Sequence, residues 1–249
     1  MSNLCENTLL RTYEPAMSRQ QQQTIERGSA VAFILTIAAL LFAFGFIAQE
    51  VTKGKTSAFD RHVMLALRSS TDPAVPIGPA WLPEAARDVT SLGSIIVLVI
   101  ITLAIVGYLF LAAKPAVAWL MLIAVFGGIA LSDLLKFAFA RARPDIVAPL
   151  ARVFTTSFPS GHATLSAITY LTIGAVLARS QPSSTISLYV MSLAAFLTMI
   201  IGVSRIYLGV HYPTDVLGGW CIGTAWAMGC WAIMARLQSV GQVEPPSPL

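Results

Sequence analysis

The chain has 249 residues, of which 56% are hydrophobic and 11% charged, where a soluble globular domain carries about 25% charged residues. Sixteen Lys and Arg against twelve Asp and Glu leave a formal net charge of +4, too slight a surplus to point to a nucleic-acid partner. Six stretches contain none of these charges: 28–49, 89–113, 115–132, 153–178, 180–204 and 216–235. A bilayer-spanning helix needs about 20 mostly apolar residues, and each stretch is near or above that length. The pattern excludes a soluble domain, a disordered chain and a porin-type barrel, whose strands alternate over about 10 residues. It predicts an all-α integral membrane protein with six transmembrane helices.

In chain order, residues 1–28 form a polar N-terminal tail with a Gln20 to Gln23 run, unlike the start of a cleavable secretory signal. The first span is placed at about 29–48. The connection over 49–93 holds two stretches of helical apolar spacing. In the first, Phe59, Val63, Ala66 and Leu67 recur at i, i+4, i+7 and i+8, with Asp60, Arg61 and Arg68 elsewhere on the wheel; in the second, Trp81, Ala85 and Val89 recur, with Pro83 near the helix start. Both suit amphipathic helices, either flat in the interface with the apolar side toward lipid or packed on the tops of the spans. The remaining spans fall at about 94–113, 116–135, 163–179, 186–203 and 217–235. Gly219 and Gly223 form G-x-x-x-G in the last, which permits close helix packing. Residues 29–236 read as one domain without internal repeats, and 237–249, with Pro245, Pro246 and Pro248, as a disordered tail. Cys221 and Cys230 lie nine residues apart, about 13 Å along a helix and too far for a disulfide; with Cys5 they read as small apolar residues.

Connections two and four are short turns, Lys114-Pro115 and Arg179 to Thr185. An even number of spans puts both termini and these turns on one face, and the three long connections together on the other. Ionisable residues near membrane depth are costly and point to a functional site. Three clusters qualify, and parity places all of them on the same face. Lys136, Arg141 and Arg143-Pro144 leave the third span; Ser157 and Pro159-Ser160-Gly161-His162 enter the fourth; Ser204-Arg205, His211 and Asp215 bridge the fifth and sixth. A pocket gathering Lys, Arg and His beside one or two carboxylates is built for an anion with several oxygens. Phosphate fits, because guanidinium presents a planar fork of donors and Lys a point charge. Ser160, Gly161 and His162 start a helix, whose free N–H groups and positive dipole end favour an anion, and Gly161 permits close backbone approach. His211 and Asp215, four apart, share a face if helical. Asp215 then orients the imidazole, leaving the other nitrogen of His211 to attack phosphorus, while His162 protonates the departing oxygen. No dense carboxylate set stands ready for a metal, so charge stabilisation falls to the cations.

Lys136-x6-Arg143-Pro144, Pro159-Ser160-Gly161-His162 and Ser204-Arg205-x5-His211-x3-Asp215 resemble the three signature motifs of the type 2 phosphatidic acid phosphatase (PAP2) superfamily, which also holds the vanadium haloperoxidases and bacterial acid phosphatases. The six-span layout is similar to its membrane-bound lipid phosphate phosphatases. The resemblance implies that Lys136, Arg143 and Arg205 bind phosphoryl oxygens, that Ser160 and Gly161 complete the cradle, and that His162 is the acid. It further implies that His211 becomes phosphohistidine with Asp215 as its partner, and that neither metal nor cofactor is required. Ala142 stands where relatives often have Pro.

The expected partners are a lipid phosphate substrate and the membrane lipids, with no nucleic acid. Undecaprenyl diphosphate, phosphatidylglycerol phosphate, phosphatidate and a lipid A-type phosphate are the candidates. A lipid phosphotransferase using the same site and a non-enzymatic anion or phospholipid transporter are the alternatives; transporters commonly show inverted repeats, which this sequence lacks. Arg141 reads equally as a snorkelling anchor or a site residue, Asp133 as a partner of Lys136, and His62 as an interfacial bystander. Basic residues outside the motifs number six on the terminus face and five on the other, which does not set the orientation. The resemblance favours a bacterial inner membrane with the motif face outward, toward the periplasm.

Overall fold

Backbone groups inside a bilayer have no water to pair with, so apolar runs of this length fold as helices, which satisfy their own N–H and C=O groups. The computed structural model describes residues 19–151 and 155–244, and every regular element among them is a helix: α1 (Arg19–Thr52), α2 (Ser57–Ala66), α3 (Leu82–Ser91), α4 (Ile95–Leu111), α5 (Pro115–Phe139), α6 (Gly161–Arg179), α7 (Ser184–Tyr207) and α8 (Pro213–Ser239). The stretch Gly28–Thr52 of α1 and the whole of α5, α6, α7 and α8 are long and apolar enough to cross a membrane. The remaining expected span, α4, has 17 residues. It reaches span length when taken with α3, the second amphipathic helix, from which it is bent by 44°. The protein is an all-helical integral membrane protein, and among the described residues five helices, or six segments with the bent pair counted as one, are long and apolar enough to span.

The chain divides into two compact units, 1–36 and 37–249. In the first, the described residues are the opening turns of α1; Cys5 and most of the expected N-terminal tail lie outside the described residues. The second unit is organised around α6, which packs against α5, α7 and α8. Of the apolar window of α6, 61% is buried, against 22–44% for those three neighbours. Small residues let α8 approach it. A Cβ on Gly219 would lie 2.8 Å from the Ser160 carbonyl, and one on Gly223 would lie 2.5 Å from the Thr164 carbonyl. The G-x-x-x-G spacing thus holds the start of α8 against the start of α6, where two of the three motifs meet. Leu165, Ile168 and Ile201 fill the core beside this contact with Leu98 and Ala124.

Two local devices aim the motif segments. Ala140 ends α5 in the left-handed region at φ 46°, a conformation costing a non-glycine residue about 1 kcal/mol, and turns the chain out of the helix toward Arg141 and Arg143. Phe158, fully buried, packs edge-on against Phe139 and stacked on Phe44, with ring centroids 5.0 and 5.8 Å apart. This anchors the segment that leads into Ser160.

The first amphipathic stretch has Asp60 and Met64 of α2 and, just beyond it, Arg68 buried, while Phe59 is half exposed, the orientation expected of an apolar side toward lipid; Asp60 faces inward because it has partners there. One expectation is corrected. The last helix continues to Ser239, past the expected start of a disordered tail at 237. Glu244 then accepts hydrogen bonds from the N–H groups of Ala116 (2.6 Å) and Val117 (3.4 Å), a carboxylate meeting the first-turn donors of α5. Residues 245–249 lie outside the described residues.

Replacing Gly223 by Val should drive a side chain into the α6 backbone and lower stability by about 1–3 kcal/mol, read as a fall in the thermal midpoint in detergent. Gly229→Ala, where nothing lies within 4 Å of an added Cβ, should leave the midpoint unchanged or raise it.

Candidate active site

The motif segments converge at one end of α5, α6, α7 and α8. Lys136 sits in the last turn of α5 and donates from Nζ to Thr155 Oγ1 at 3.1 Å. Arg143 lies in the α5–α6 connection and is held from several sides. Its Nε donates to the Thr155 carbonyl (2.6 Å), Nη1 to the Val210 carbonyl (2.6 Å) and Nη2 to Thr155 Oγ1 (3.1 Å). The same connection is pinned by the Ser157 N–H on the Arg141 carbonyl (2.8 Å) and by the Thr156 hydroxyl on the Lys136 carbonyl (3.0 Å). These bonds define the turn around Ala142 without a proline.

Ser160 is the N-cap of α6, and Gly161 and His162 form its first turn, whose N–H groups have no carbonyl partner within the helix. A Cβ on Gly161 would lie 3.3 Å from Lys136 Nζ, so glycine lets the ammonium close on the helix start. The Ser160 N–H, expected to be free, is taken by the Asp215 carbonyl at 2.9 Å, because α8 begins alongside. The Ser160 hydroxyl is buried without a partner, as is Arg205 Nε. Arg205, near the end of α7, has one further contact, from Nη1 to Thr90 Oγ1 of α3 at 3.1 Å.

His211 and Asp215 do not meet across a helical turn. His211 precedes the N-cap residue Tyr212, and Asp215 is the third residue of α8. The Asp215 carboxylate reaches back to accept the Tyr212 N–H at 2.9 Å, a capping interaction, and the same oxygen, Oδ2, lies 3.3 Å from His211 Nδ1. It also accepts the Ser157 hydroxyl. With Nδ1–H donated to Asp215, the lone pair of His211 sits on Nε2, 3.1 Å from Arg143 Nη1. His211 is 1% exposed and Asp215 fully buried. Burial pushes the His211 imidazole down to about 4; Asp215 opposes the shift, and Arg143 and Arg205 add to it.

Lys136, Arg143, His162, Arg205 and His211 line a single cavity of about 340 Å³, together with Gly93, Ile95 and Asp133. A second cavity, of about 390 Å³, lies where α5 begins and α8 ends and has an apolar lining apart from Gln242 and Glu244. Among the described residues no three His, Cys, Asp or Glu side chains converge as a metal site. Asp133 shares the first cavity with Lys136, and His62 is exposed on α2. Thr155 and Asp60 escape sequence reasoning. Thr155 belongs to no motif, and Asp60 looks like the polar side of an amphipathic helix.

Residues 117–239 match the PAP2 superfamily. Phosphatidylglycerophosphatase B of Bacillus subtilis (strain 168) is 36% identical over 151 residues, 60% of this chain and 74% of the relative. The chain belongs to the PAP2 superfamily. A lipid A 1-phosphatase of Rhizobium johnstonii is 32% identical over 139 residues, about half of each chain (51% and 52%). The crystal structure of a transmembrane PAP2 type phosphatidylglycerolphosphate phosphatase from Bacillus subtilis superimposes with a TM-score of 0.73 at 28% identity, covering 81% of this chain and 97% of that one. As a PAP2 phosphatase the protein is a phosphoric ester hydrolase embedded in a membrane.

In the PAP2 site the balance between burial and Asp215 sets the state of His211. An imidazole NMR titration in detergent, with His62 and His162 assigned by substitution, should place the His211 midpoint near pH 4, below the ordinary value of about 6.5. The neutral form would then prevail above that pH. A midpoint at or above the ordinary value would mean that the carboxylate outweighs burial.

Proposed function

We propose that the protein is a metal-independent lipid phosphate phosphatase acting through a phosphohistidine, with phosphatidylglycerol phosphate as the first candidate substrate. The observation that carries this reading is that His211 and His162 face one cavity with Lys136, Arg143 and Arg205. The phosphoryl group occupies that cavity with its oxygens against the three cations, the Ser160 hydroxyl and the Gly161 N–H. Ser160 Oγ and Arg205 Nε are buried without partners, and this reading assigns both as donors to phosphoryl oxygens.

His211 Nε2 attacks phosphorus and forms the N–P bond as the P–O bond to the lipid breaks. His162 delivers a proton to the departing oxygen. Asp215 holds Nδ1 and stabilises the positive charge that develops on the imidazole. In the second half His162 takes a proton from water, which attacks phosphorus, releases inorganic phosphate and returns His211 to its neutral form. Arg143, 3.1 Å from Nε2, turns its donor to a phosphoryl oxygen when substrate arrives.

Three things support a lipid substrate: the cavity lies at the ends of spanning helices, its wall includes Ile95, and Ile95 is half exposed on the outer surface of α4. The name of the Bacillus subtilis relative puts phosphatidylglycerol phosphate first. Phosphatidate, a lipid A-type phosphate and undecaprenyl diphosphate complete the panel. The same reading takes the membrane to be a bacterial inner membrane, which the bacterial origin of the relatives supports, with the motif face turned outward.

Purified protein should release phosphate from at least one of these four lipids in the presence of EDTA, and vanadate should inhibit it as a mimic of phosphoryl transfer. His211→Ala should reduce release by roughly 10³-fold or more. Retained activity in that variant would sink the phosphohistidine mechanism, and loss of activity in EDTA would sink metal independence.

A further inference from the structure

Arg141 differs from the other motif-region cations in that it does not line the cavity. Its Nη1 donates to Asp215 Oδ1 at 2.6 Å and to Thr214 Oγ1 at 2.9 Å, and its Nη2 donates to Asp60 Oδ2 at 2.8 Å. The guanidinium also lies over the Tyr212 ring, 4.1 Å from the centroid. Asp60 is fully buried. It accepts the Thr214 N–H at 3.1 Å and the Thr214 hydroxyl at 2.8 Å, so it caps α8 from outside while fixing Arg141. It belongs to α2 and lies outside the residues, 117–239, that match the family.

The two oxygens of Asp215 therefore have different duties. Oδ2 faces His211, the Ser157 hydroxyl and the Tyr212 N–H, whereas Oδ1 faces Arg141. A buried carboxylate requires a positive partner. Two groups are within reach: a guanidinium, which is always charged, and an imidazole, which must take up a proton to serve. A protonated imidazole has no lone pair with which to attack phosphorus.

We propose that Arg141 is a positioning residue for the His211–Asp215 pair: it supplies the positive partner of Asp215 on the side turned away from His211, and Asp60 holds it there. The imidazole is thereby relieved of that task and keeps its lone pair. The consequence for catalysis rests on the reading that His211 is the nucleophile; the consequence for the imidazole does not. The groups around His211 are Asp215 of α8, Arg143 and Ser157 of the α5–α6 connection, Arg205 of α7 and His162 of α6, with Lys136 of α5 across the cavity. Those cations all oppose protonation, so removing Arg141 leaves Asp215 as the strengthened pull in the other direction.

The test compares full-length wild type, Arg141→Gln and Arg141→Lys in detergent by imidazole NMR titration and by phosphate release from phosphatidylglycerol phosphate and phosphatidate. In Arg141→Gln the His211 midpoint should rise by about one pH unit or more. Near pH 4, where the wild-type imidazole is half neutral, kcat should fall roughly fivefold, KM should stay within about twofold because Arg141 does not line the cavity, and at pH 7 the difference should close. Arg141→Lys, which returns the charge without the fork, should move the midpoint most of the way back. If Arg141→Gln does not fold, Asp60→Asn with Arg141→Gln removes both buried charges and should show the same rise. An unchanged midpoint, or a loss of kcat that follows the folded fraction and ignores pH, overturns the proposal. If wild type releases no phosphate from either lipid, or His211→Ala keeps its activity, the functional reading fails and the titration alone decides the role of Arg141.

Discussion

The structure of the site depends on one buried carboxylate. Asp215 has no exposed surface, and an ionised group in that position is tolerated only when its lone pairs are filled and its charge is matched. Its partners come from four places: the Tyr212 N–H at the start of α8, Ser157 before α6, His211 after α7, and Arg141 after α5. Satisfying Asp215 therefore brings the ends of α5, α6, α7 and α8 to a common point. The backbone carbonyl of the same residue takes the Ser160 N–H, which ties the N-terminus of α6 to that of α8. Helix capping, charge pairing and orientation of the imidazole are one set of contacts here.

Around this point the scaffold must hold several like charges together. Lys136, Arg143 and Arg205 face one cavity. Thr155 accepts from the first two, the Val210 and Thr155 carbonyls from Arg143, and Thr90 from Arg205, while Asp133, on the same cavity, and Asp215 are the opposing charges felt by Lys136. The rigidity this requires comes from close packing. Gly219 and Gly223 bring the α8 backbone against α6, and within lipid such van der Waals contact, rather than hydrophobic burial, drives helix association.

Much of this was legible in the sequence. The charge-free stretches announce the spans, and the even count predicts that the three long connections share a face. The three motifs bring Lys136, Arg143, His162, Arg205 and His211 to one cavity, as their shared face implied. What escaped were residues whose meaning lies in distant contacts. Asp60 sits at a polar position of an amphipathic helix, yet its partners are Arg141, 81 residues away, and Thr214, 154 residues away. The periodicity of α2 carries no sign of either. The sequence does not separate anchor from site for Arg141 for the same reason. The bend between α3 and α4 was also hidden, because hydropathy locates an apolar segment without its direction.

The sequence by itself determined that this is a membrane-embedded helical protein with a set of cationic and imidazole side chains on one face. It could do so because backbone satisfaction in lipid and the count of spans follow from local composition and order alone. Tertiary structure decided which carboxylate answers which cation, that the Ser160 N–H is occupied while its hydroxyl is buried without a partner, and that His211 is buried between Asp215 and Arg143. Those are properties of burial and of charge at a distance, and they come into being only when α2, α6 and α8 meet.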